Sequence, residues 1–516
     1  MKSMTPSACR RMLVLATLCA AAASPQAAVT VNGTVFTLQE LVGVGRLAAN
    51  LRDEHGETFG SISGLVADRS SWTRVGDSYT GTFYAAPDRG YNVVGTIDYT
   101  ARINRIEMSF TPAAMGASGL AQNQIGLSLT QSTLLRESLT GSSRPISGLD
   151  PVPGGVATGG ARPATALLPQ LPQAYNGKLT LDAEAIVILR DGSRLISDEY
   201  GPSIYRFSAD GQFMGALKVA DSVRPLRNGV PDYSSNNATV GQPAPVPANP
   251  SYGRQNNQGF EGLSLSPDGK TLFVALQSAA RQDGGTGGTS ATRDNTRVFT
   301  YDVSNLDDMK LSGEYVVQLP KFTQNGQTLV AAQSEILALS DTQLLILPRD
   351  SNGLAVGTQE SQLRRVDVID LAGATNILGQ SYEGTIAPGG VLNPAITPAT
   401  YVPFLDVNDK AQLARFGLTN GQVAGLDNLS EKWEGMALLP ALDPSRPNDY
   451  FLFLANDNDF ATTDGFQAGA AYSDGKNLDT MFLAYRVTIA AVPEPGTWAM
   501  LGLGLATLAT LRRRRR

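Results

Sequence analysis

Short apolar runs joined by tight turns recur along most of the chain. Residues 263–266 alternate between leucine and serine, residues 271–276 are mostly apolar, and Pro267-Asp268-Gly269-Lys270 lies between them. An Asp-Gly turn between two such runs is typical of a β-hairpin. Helical periodicity is scarce, and residues 408–416 are the best candidate for a helix. The pattern therefore predicts an all-β protein.

One two-strand unit recurs five times along the chain. In each unit an acidic or hydroxyl residue opens one strand, and a second strand ends in a polar, usually acidic, residue. The opening residues are Ser63, Glu184, Glu261, Glu335 and Glu434. Successive glutamates are 77, 74 and 99 residues apart, whereas a four-stranded propeller blade needs only about 40 to 50 residues. We therefore predict a single β-propeller of six or seven blades with loop insertions, because two β-sandwiches would not place a carboxylate at the same point of each unit.

The N-terminal residues 1–28 have the features of a signal peptide. Three basic residues precede a short apolar run at residues 12–23, and small residues that suit cleavage follow. A run of about 12 apolar residues is too short to cross a membrane core of about 30 Å. Both cysteines, Cys9 and Cys19, lie in this segment. We therefore expect an exported mature chain without disulfides or cysteine-bound zinc.

The C-terminal residues 492–516 combine a short motif, an apolar run and a basic end. Pro493, Glu494 and Pro495 precede the apolar residues 497–511, and five arginines end the chain. This order resembles the PEP-CTERM sorting signal of Gram-negative bacteria. The resemblance implies a transmembrane helix whose arginines stay cytoplasmic and cleavage by an exosortase-type processing enzyme. It also implies a location in the cell envelope, on the outer surface or in the extracellular matrix, with residues 29–491 as the propeller domain.

The charge balance becomes strongly acidic once the two terminal segments are set aside. The whole chain has 41 basic and 47 acidic residues, and 33 basic and 46 acidic residues remain between the segments. A nucleic-acid-binding protein would show a basic face, and the sequence contains none. Excess acid suits solubility or the binding of hard cations such as Ca²⁺. We expect a monomer that does not bind nucleic acid.

The acidic residues of the repeat are the main candidates for chemistry. If the first strands line a central channel, their glutamates converge there and repel one another unless cations neutralise them. Ca²⁺ accepts six to eight oxygen ligands with loose geometry, which makes it the expected cofactor. The candidate metal ligands are Glu184, Asp198, Glu199, Glu261, Glu335, Asp350, Glu434, Asp457 and Asp459. The alternative is structural, with each glutamate accepting hydrogen bonds from the backbone of a neighbouring strand.

Three basic residues adjoin these acids in the sequence. Arg89, Arg349 and Lys432 would either bind the phosphate oxygens of a substrate or neutralise the same acids as salt bridges. Both roles remain open at the level of the sequence.

Several of the repeated motifs together resemble the phytase-like family, described as "esterase-like activity of phytase". The resemblance covers residues 55–490 and rests on Asp182-Ala183-Glu184-Ala185-Ile186, Gly259-Phe260-Glu261-Gly262-Leu263, Trp433-Glu434-Gly435-Met436 and Asn456-Asp457-Asn458-Asp459-Phe460. It implies a secreted propeller that hydrolyses a phosphate ester with the help of calcium. Glu184, Glu261 and Glu434 are then the candidates for catalysis.

Serine-hydrolase chemistry finds no support in the sequence. His55 is the single histidine, and there is no Gly-x-Ser-x-Gly motif, so a Ser-His-Asp triad is not expected. We therefore expect a calcium-assisted phosphoesterase that acts on phytate or related small phosphate esters. Two alternatives remain. One is a non-catalytic surface or matrix propeller that binds polysaccharide or protein, and the other is a different esterase or lactonase on the same scaffold.

Overall fold

The computed structural model describes residues 28–92, 95–138, 141–284, 290–352 and 360–492. Nearly all of the predicted signal peptide and the sorting motif Pro493, Glu494 and Pro495 lie outside these residues. The predicted transmembrane stretch does so as well. Within the described ranges, no helix is long and apolar enough to cross a membrane.

Five antiparallel sheets form the blades of a propeller. In blades 1 to 4 the strands pair in chain order. Blade 1 contains Gly64–Val75, Ser78–Ala86, Arg102–Phe110 and Ile125–Leu134; blade 2 contains Ala183–Ile188, Arg194–Asp198, Ser203–Phe207 and Phe213–Ala216; blade 3 contains Phe260–Leu265, Thr271–Leu276, Asn295–Asp302 and Lys310–Gln318; blade 4 contains Ala332–Ala338, Gln343–Arg349, Arg365–Asp370 and Thr400–Asp406. The first strands of neighbouring blades contact one another in a closed ring.

Blade 5 joins the two ends of the domain. Its strands, from the channel outward, are Trp433–Pro440, Asp449–Asn456, Thr480–Ala491, Thr34–Leu47 and Ala28–Val31. The N-terminal strand Thr34–Leu47 pairs with Thr480–Ala491 along its whole length. This pairing closes the ring, because residues 28–47 complete the last blade and form no blade of their own.

The prediction of six or seven blades is wrong, because the structure has five. The chain length assigned to further blades belongs to insertions such as residues 135–182 and 217–259. The described residues of these insertions form only two-residue strands and short 3₁₀ turns. The two-stranded hairpins are Arg136–Glu137 with Arg144–Pro145, Ala161–Arg162 with Leu171–Pro172, Leu226–Arg227 with Val230–Pro231, Lys321–Gln324 with Gln327–Val330, and Gly465–Gln467 with Ala470–Tyr472.

The helical elements among the described residues are short. The 3₁₀ turns are Gly155–Thr158, Asp221–Val223, Arg281–Asp283, Ser290–Thr292 and Pro388–Gly390. The α-helix Lys410–Ala414 lies within the predicted stretch, which confirms that expectation. Asp409 caps it, because its side chain accepts hydrogen bonds from two backbone amides of the first turn.

Because strands alternate in direction, the first strand of each blade begins on the same face of the ring on which the second strand ends. We call this the upper face. Most long insertions leave from it, including residues 87–101, 135–182, 217–259, 277–294, 407–432 and 457–479. Below this face, the channel contains a cavity of about 400 Å³ bordered by the first strands of all five blades.

Each interface between neighbouring blades has its own apolar cluster. Between blades 5 and 1, for example, the rings of Phe83 and Phe453 meet edge to face with centroids 5.5 Å apart. Both faces of an inner sheet are covered by neighbours, so strands such as Gln343–Arg349 are apolar on both sides. Packing of these clusters holds the channel strands in register.

Candidate functional site

Four glutamates occupy equivalent positions in blades 2 to 5. At each of them the pairing between the first and second strand shifts register. The shifts lie between Ala183 and Ile186, Phe260 and Gly262, Gln333 and Ile336, and Trp433 and Gly435. A β-bulge of this kind redirects a side chain. The predicted equivalence of Glu184, Glu261, Glu335 and Glu434 is therefore confirmed.

A small residue follows the glutamate in blades 2, 3 and 5, where Ala185, Gly262 and Gly435 take that position, whereas Ile336 follows Glu335 in blade 4. A Cβ atom added to Gly262 would lie 2.8 Å from the backbone nitrogen of Ile336 in the next blade. A Cβ atom on Gly64 would lie 2.7 Å from the Cα atom of Ala185. Gly262 and Gly64 therefore leave no room for a larger side chain at these two contacts, and the position after Glu335 admits isoleucine because it faces a glycine.

Glu184 and Glu261 have no cationic partner among the described residues. They are 6% and 2% exposed. The Oε1 atom of Glu261 accepts a hydrogen bond from Gln277, while its buried Oε2 atom has no partner. Burial, followed by the charge of Glu261, raises the pKa of Glu184 well above its usual value. Burial, followed by the charges of Glu199 and Glu434, does the same to the pKa of Glu261.

The other two glutamates have different partners. The Oε1 atom of Glu335 accepts hydrogen bonds from the backbone nitrogens of Leu263, at 3.1 Å, and Ile336, at 2.8 Å. Glu434 forms an ion pair with Arg349, whose Nε atom also donates to the hydroxyl of Ser334 at 2.8 Å. The four equivalent positions thus include a backbone cap, an ion pair and two carboxyls without a cation.

All three predicted substrate-binding cations are bonded to acids. Arg89 donates to the Oδ2 atom of Asp182 at 2.5 Å and also to the side chain of Asn257, and it lies 3.9 Å from Glu199. Arg349 is paired with Glu434 as described above.

Lys432 lies among four carboxylates. Its ammonium forms ion pairs with Asp457 and Asp459, the second at 2.7 Å. Asp88 lies 3.9 Å from the same nitrogen and Glu434 lies 4.0 Å from it. Each of the three cations therefore neutralises acids of the site.

Asp198 and Asp350 serve neighbouring loops. Asp198 accepts hydrogen bonds from the backbone nitrogens of Asp182, Tyr200 and Gly201 at 2.9 to 3.3 Å. Asp350 accepts from three backbone nitrogens, Gln362 at 2.5 Å, Leu363 at 3.2 Å and Asn352 at 3.3 Å, and from the Asn352 side chain. Both carboxylates are thus occupied by local hydrogen bonds, unlike Glu184 and Glu261.

Sequence reasoning missed Asp88 and Asp182 as possible ligands. Oxygen atoms of Asp88, Asp182 and Glu184 all lie within 4.8 Å of one another, and Asp88, Asp457 and Asp459 form a second such group. The repeat offered a signal, because Asp88 follows the second strand of blade 1 just as Asp457 follows that of blade 5.

The first of these groups fits a calcium ion. Ligands at 2.3 to 2.6 Å on opposite sides of Ca²⁺ are about 5 Å apart, and the oxygens of the group all lie within 4.8 Å of one another. All its donors are oxygens. The Oδ1 atom of Asp182 is buried and has no hydrogen-bond partner among the described residues, so a cation would satisfy an otherwise unpaired acceptor.

Several non-glycine residues around the site have the left-handed backbone conformation, which is rare for residues other than glycine. Asn257, Lys432, Asp459 and Phe460 have φ angles of 50°, 46°, 51° and 55°. Left-handed non-glycine residues are uncommon and concentrate at functional sites. Here four of them surround the opening of the channel on the upper face, where the acids described above lie. We call this opening the acidic mouth.

The model of the family described as "esterase-like activity of phytase" matches residues 57–460. The chain belongs to this phytase-like family. An uncharacterized secreted protein of Arthroderma benhamiae is 36% identical over 455 residues, which cover 82% of this chain and 87% of that protein. The PEP-CTERM sorting motif matches residues 491–516. The motif and the secreted relative support export of this phytase-like protein to the cell envelope or surface.

Solved structures resemble the phytase-like chain only remotely. A glycosyl hydrolase from Bacteroides ovatus shares 9% identity with a TM-score of 0.30, covering 86% of this chain and 93% of that chain. The PQQ-bound aldose sugar dehydrogenase from Streptomyces coelicolor shares 12% identity with a TM-score of 0.26, covering 89% and 98%. Similarities this low support no conclusion about the activity of the phytase-like protein.

Proposed function

We propose that the protein hydrolyses a phosphate ester, phytate or a related compound, with Ca²⁺ bound by Asp88, Asp182 and Glu184. The observation that carries this proposal is the spacing of their oxygens, all within 4.8 Å of one another, together with the unpaired Oδ1 atom of Asp182. Oxygen donors at this spacing suit a hard cation.

The excess of acids at the mouth favours a bound cation for this chemistry. Three cations face eight acids, which are Asp88, Asp182, Glu184, Glu199, Glu261, Glu434, Asp457 and Asp459. In their ionised forms these acids would repel a phosphate ester unless further positive charge were present. When bound, Ca²⁺ would neutralise phosphate oxygens and lower the pKa of a coordinated water.

The protein's own side chains would position the reactants. Arg89 holds the Oδ2 atom of Asp182 at 2.5 Å, which leaves Oδ1 for the ion. Gln277 holds the Oε1 atom of Glu261, which leaves Oε2 free to hydrogen-bond a water or the leaving oxygen of the substrate. Glu434 would act indirectly, because it orients Arg349.

A substrate panel tests the proposal. Phytate, p-nitrophenyl phosphate and carboxylic esters are incubated with the protein in calcium and in chelator. We expect phosphate release in calcium and none in chelator. Glu184→Gln should lower the release at least tenfold, while Glu335→Gln, which keeps its backbone-capping oxygen, should remain active. Absence of phosphate release in calcium would refute the proposal, and cleavage of the carboxylic esters alone would favour an esterase or lactonase.

One observation favours a second candidate function, that of a non-catalytic propeller. Arg89, Arg349 and Lys432 are all paired with acids, so the site offers no free cation for a phosphate group among the residues that the structure describes. A surface protein that binds polysaccharide or protein would not need one. The same panel decides, because this function predicts no hydrolysis of any substrate and retention on immobilised polysaccharide or partner protein.

A further inference from the structure

The acidic mouth contains two adjacent positions for a cation, and they share one carboxylate. Asp88 belongs both to the group with Asp182 and Glu184 and to the group with Asp457 and Asp459. We infer that Lys432 is an internal cation that fills the second position, so that the protein binds one divalent ion here and not two. The expected number of one bound ion rests on the calcium site proposed above.

The Lys432 ammonium lies where a metal ion of the second group would lie. It forms ion pairs with Asp457 and, at 2.7 Å, with Asp459, and Asp88 is 3.9 Å away. Three carboxylates that could coordinate one ion thus surround one nitrogen. A lysine ammonium is a compact point charge with three donors, and it supplies such a group with positive charge at any calcium concentration.

The first group has no equivalent cation at its centre. Arg89 lies beside it and bonds to the Oδ2 atom of Asp182 at 2.5 Å, while its Nε atom is 3.7 Å from Asp88. The Oδ1 atom of Asp182 still has no partner, and Glu184 forms no ion pair among the described residues. The two groups are therefore unequal, one already neutralised from within and one with an unpaired oxygen.

The backbone is shaped to hold Lys432 in this position. Lys432 has a φ of 46° and Asp459 a φ of 51°, both left-handed. The carbonyl of Lys432 accepts a hydrogen bond from the backbone nitrogen of Asp457 at 2.8 Å, and the Lys432 side chain is only 17% exposed. A solvated surface lysine would require neither the strain nor the burial.

This placement gives Lys432 a role other than substrate binding. Its charge is already balanced by the surrounding carboxylates, so it is a poor anchor for a phosphate group. It neutralises Asp457 and Asp459 and thereby leaves Asp88 available to the first group. The lysine would thus determine how many ions the site takes.

Counting bound calcium by equilibrium dialysis of the purified full chain tests the inference. We expect one ion in this site of the wild-type protein and two in Lys432→Met. Lys432→Arg, which keeps the charge, should bind one. Lys432→Met combined with Asp459→Asn should return to one, because the second group loses a ligand. Arg349→Met also removes a buried positive charge, but it lies outside this group and should leave the count at one.

Thermal melts in calcium and chelator cover the case in which the methionine variant is unstable. Calcium should then raise the melting temperature of Lys432→Met more than that of the wild type. The inference is overturned if Lys432→Met binds no more calcium than the wild type and melts with the same calcium dependence. It is also overturned if the wild type already fills both groups.

The count separates this inference from the proposed function. If the wild type binds no calcium and Lys432→Met binds one ion, the lysine is confirmed as an internal cation and the proposed calcium site is refuted. Inorganic phosphate gives an independent readout. Its affinity should change less than twofold in Lys432→Met at fixed calcium, whereas a tenfold loss would mark Lys432 as a phosphate anchor and contradict the inference.

Discussion

Replacing Glu335 by alanine should destabilise the propeller even though Glu335 is one of four equivalent channel glutamates. Its Oε1 atom accepts hydrogen bonds from the backbone nitrogens of Leu263 and Ile336. The bond from Leu263 connects blade 3 to blade 4, and the bond from Ile336 lies within the first strand of blade 4. Glu335→Ala would remove the acceptor and leave two buried donors unpaired.

The size of the effect follows from those two donors. An unpaired buried donor costs about 1 to 3 kcal/mol, so Glu335→Ala should lower the free energy of unfolding by about 2 to 6 kcal/mol. A chain of this length has an unfolding entropy of roughly 1 kcal/mol/K. We therefore expect the melting temperature to fall by about 2 to 6 °C. Water from the neighbouring cavity, which Glu335 borders, could satisfy one donor and would place the result at the lower end.

Glu335→Gln is the matched control, because glutamine keeps an oxygen at the same place. Thermal melts in calcium and in chelator should show the glutamine variant close to the wild type under both conditions. A loss of the calcium-dependent shift in Glu335→Gln would instead identify Glu335 as a metal ligand. Equal destabilisation by glutamine and alanine would show that the charge, and not the backbone hydrogen bonds, is what matters, and would refute the capping role.

Three further predictions concern packing, pH and processing. Gly262→Ala should lower the free energy of unfolding by about 1 to 3 kcal/mol through overpacking, because the added Cβ would lie 2.8 Å from the backbone nitrogen of Ile336. Chemical denaturation measures this loss. Gly215→Ala is the control and should be nearly neutral, because its Cβ would meet nothing within 4 Å. Burial raises the pKa of Asp150 to about 6, above its unfolded value, so its contribution to stability is present below about pH 4 and is lost as the pH rises through 6. That loss is roughly 3 kcal/mol, and Asp150→Asn should flatten this part of the stability curve; an unchanged curve would contradict the raised pKa. Mass spectrometry of the protein from its native host should find a chain that begins between residues 23 and 30 and ends near residues 493–496, and an intact Arg516 would contradict tail removal.

Local patterns in the sequence were sufficient to predict the all-β fold class and the equivalent positions of the repeated glutamates. Alternating apolar runs and Asp-Gly turns indicate strands because each strand presents its side chains to opposite faces with a period of two. A small residue follows the glutamate at the bulges of blades 2, 3 and 5, and Ile336 takes this position in blade 4. These features depend on a few neighbouring residues, so they can be read without the structure.

The partners of the site residues could not be predicted in the same way. Lys432 and Asp457 are 25 positions apart and flank the first two strands of blade 5. Asp88 lies in another blade and joins them only when the ring closes. Likewise, the sequence showed Asp198 as one more channel acid, whereas the turn that follows it supplies the backbone amides it binds. Whether a carboxylate pairs with a cation, a backbone amide or another acid depends on which loops meet at the mouth.

The number of blades also separates what the sequence predicts from what only the tertiary structure decides. The sequence by itself predicted a propeller built from a repeated two-strand unit that an acidic or hydroxyl residue opens. It did not determine that Thr34–Leu47 belongs to the last blade, because this strand pairs with Thr480–Ala491 at the other end of the domain. Strand pairing is set by hydrogen bonds between backbones, which carry no residue-specific label, and by packing against neighbouring blades. Only the closed ring therefore decided that the number of blades is five.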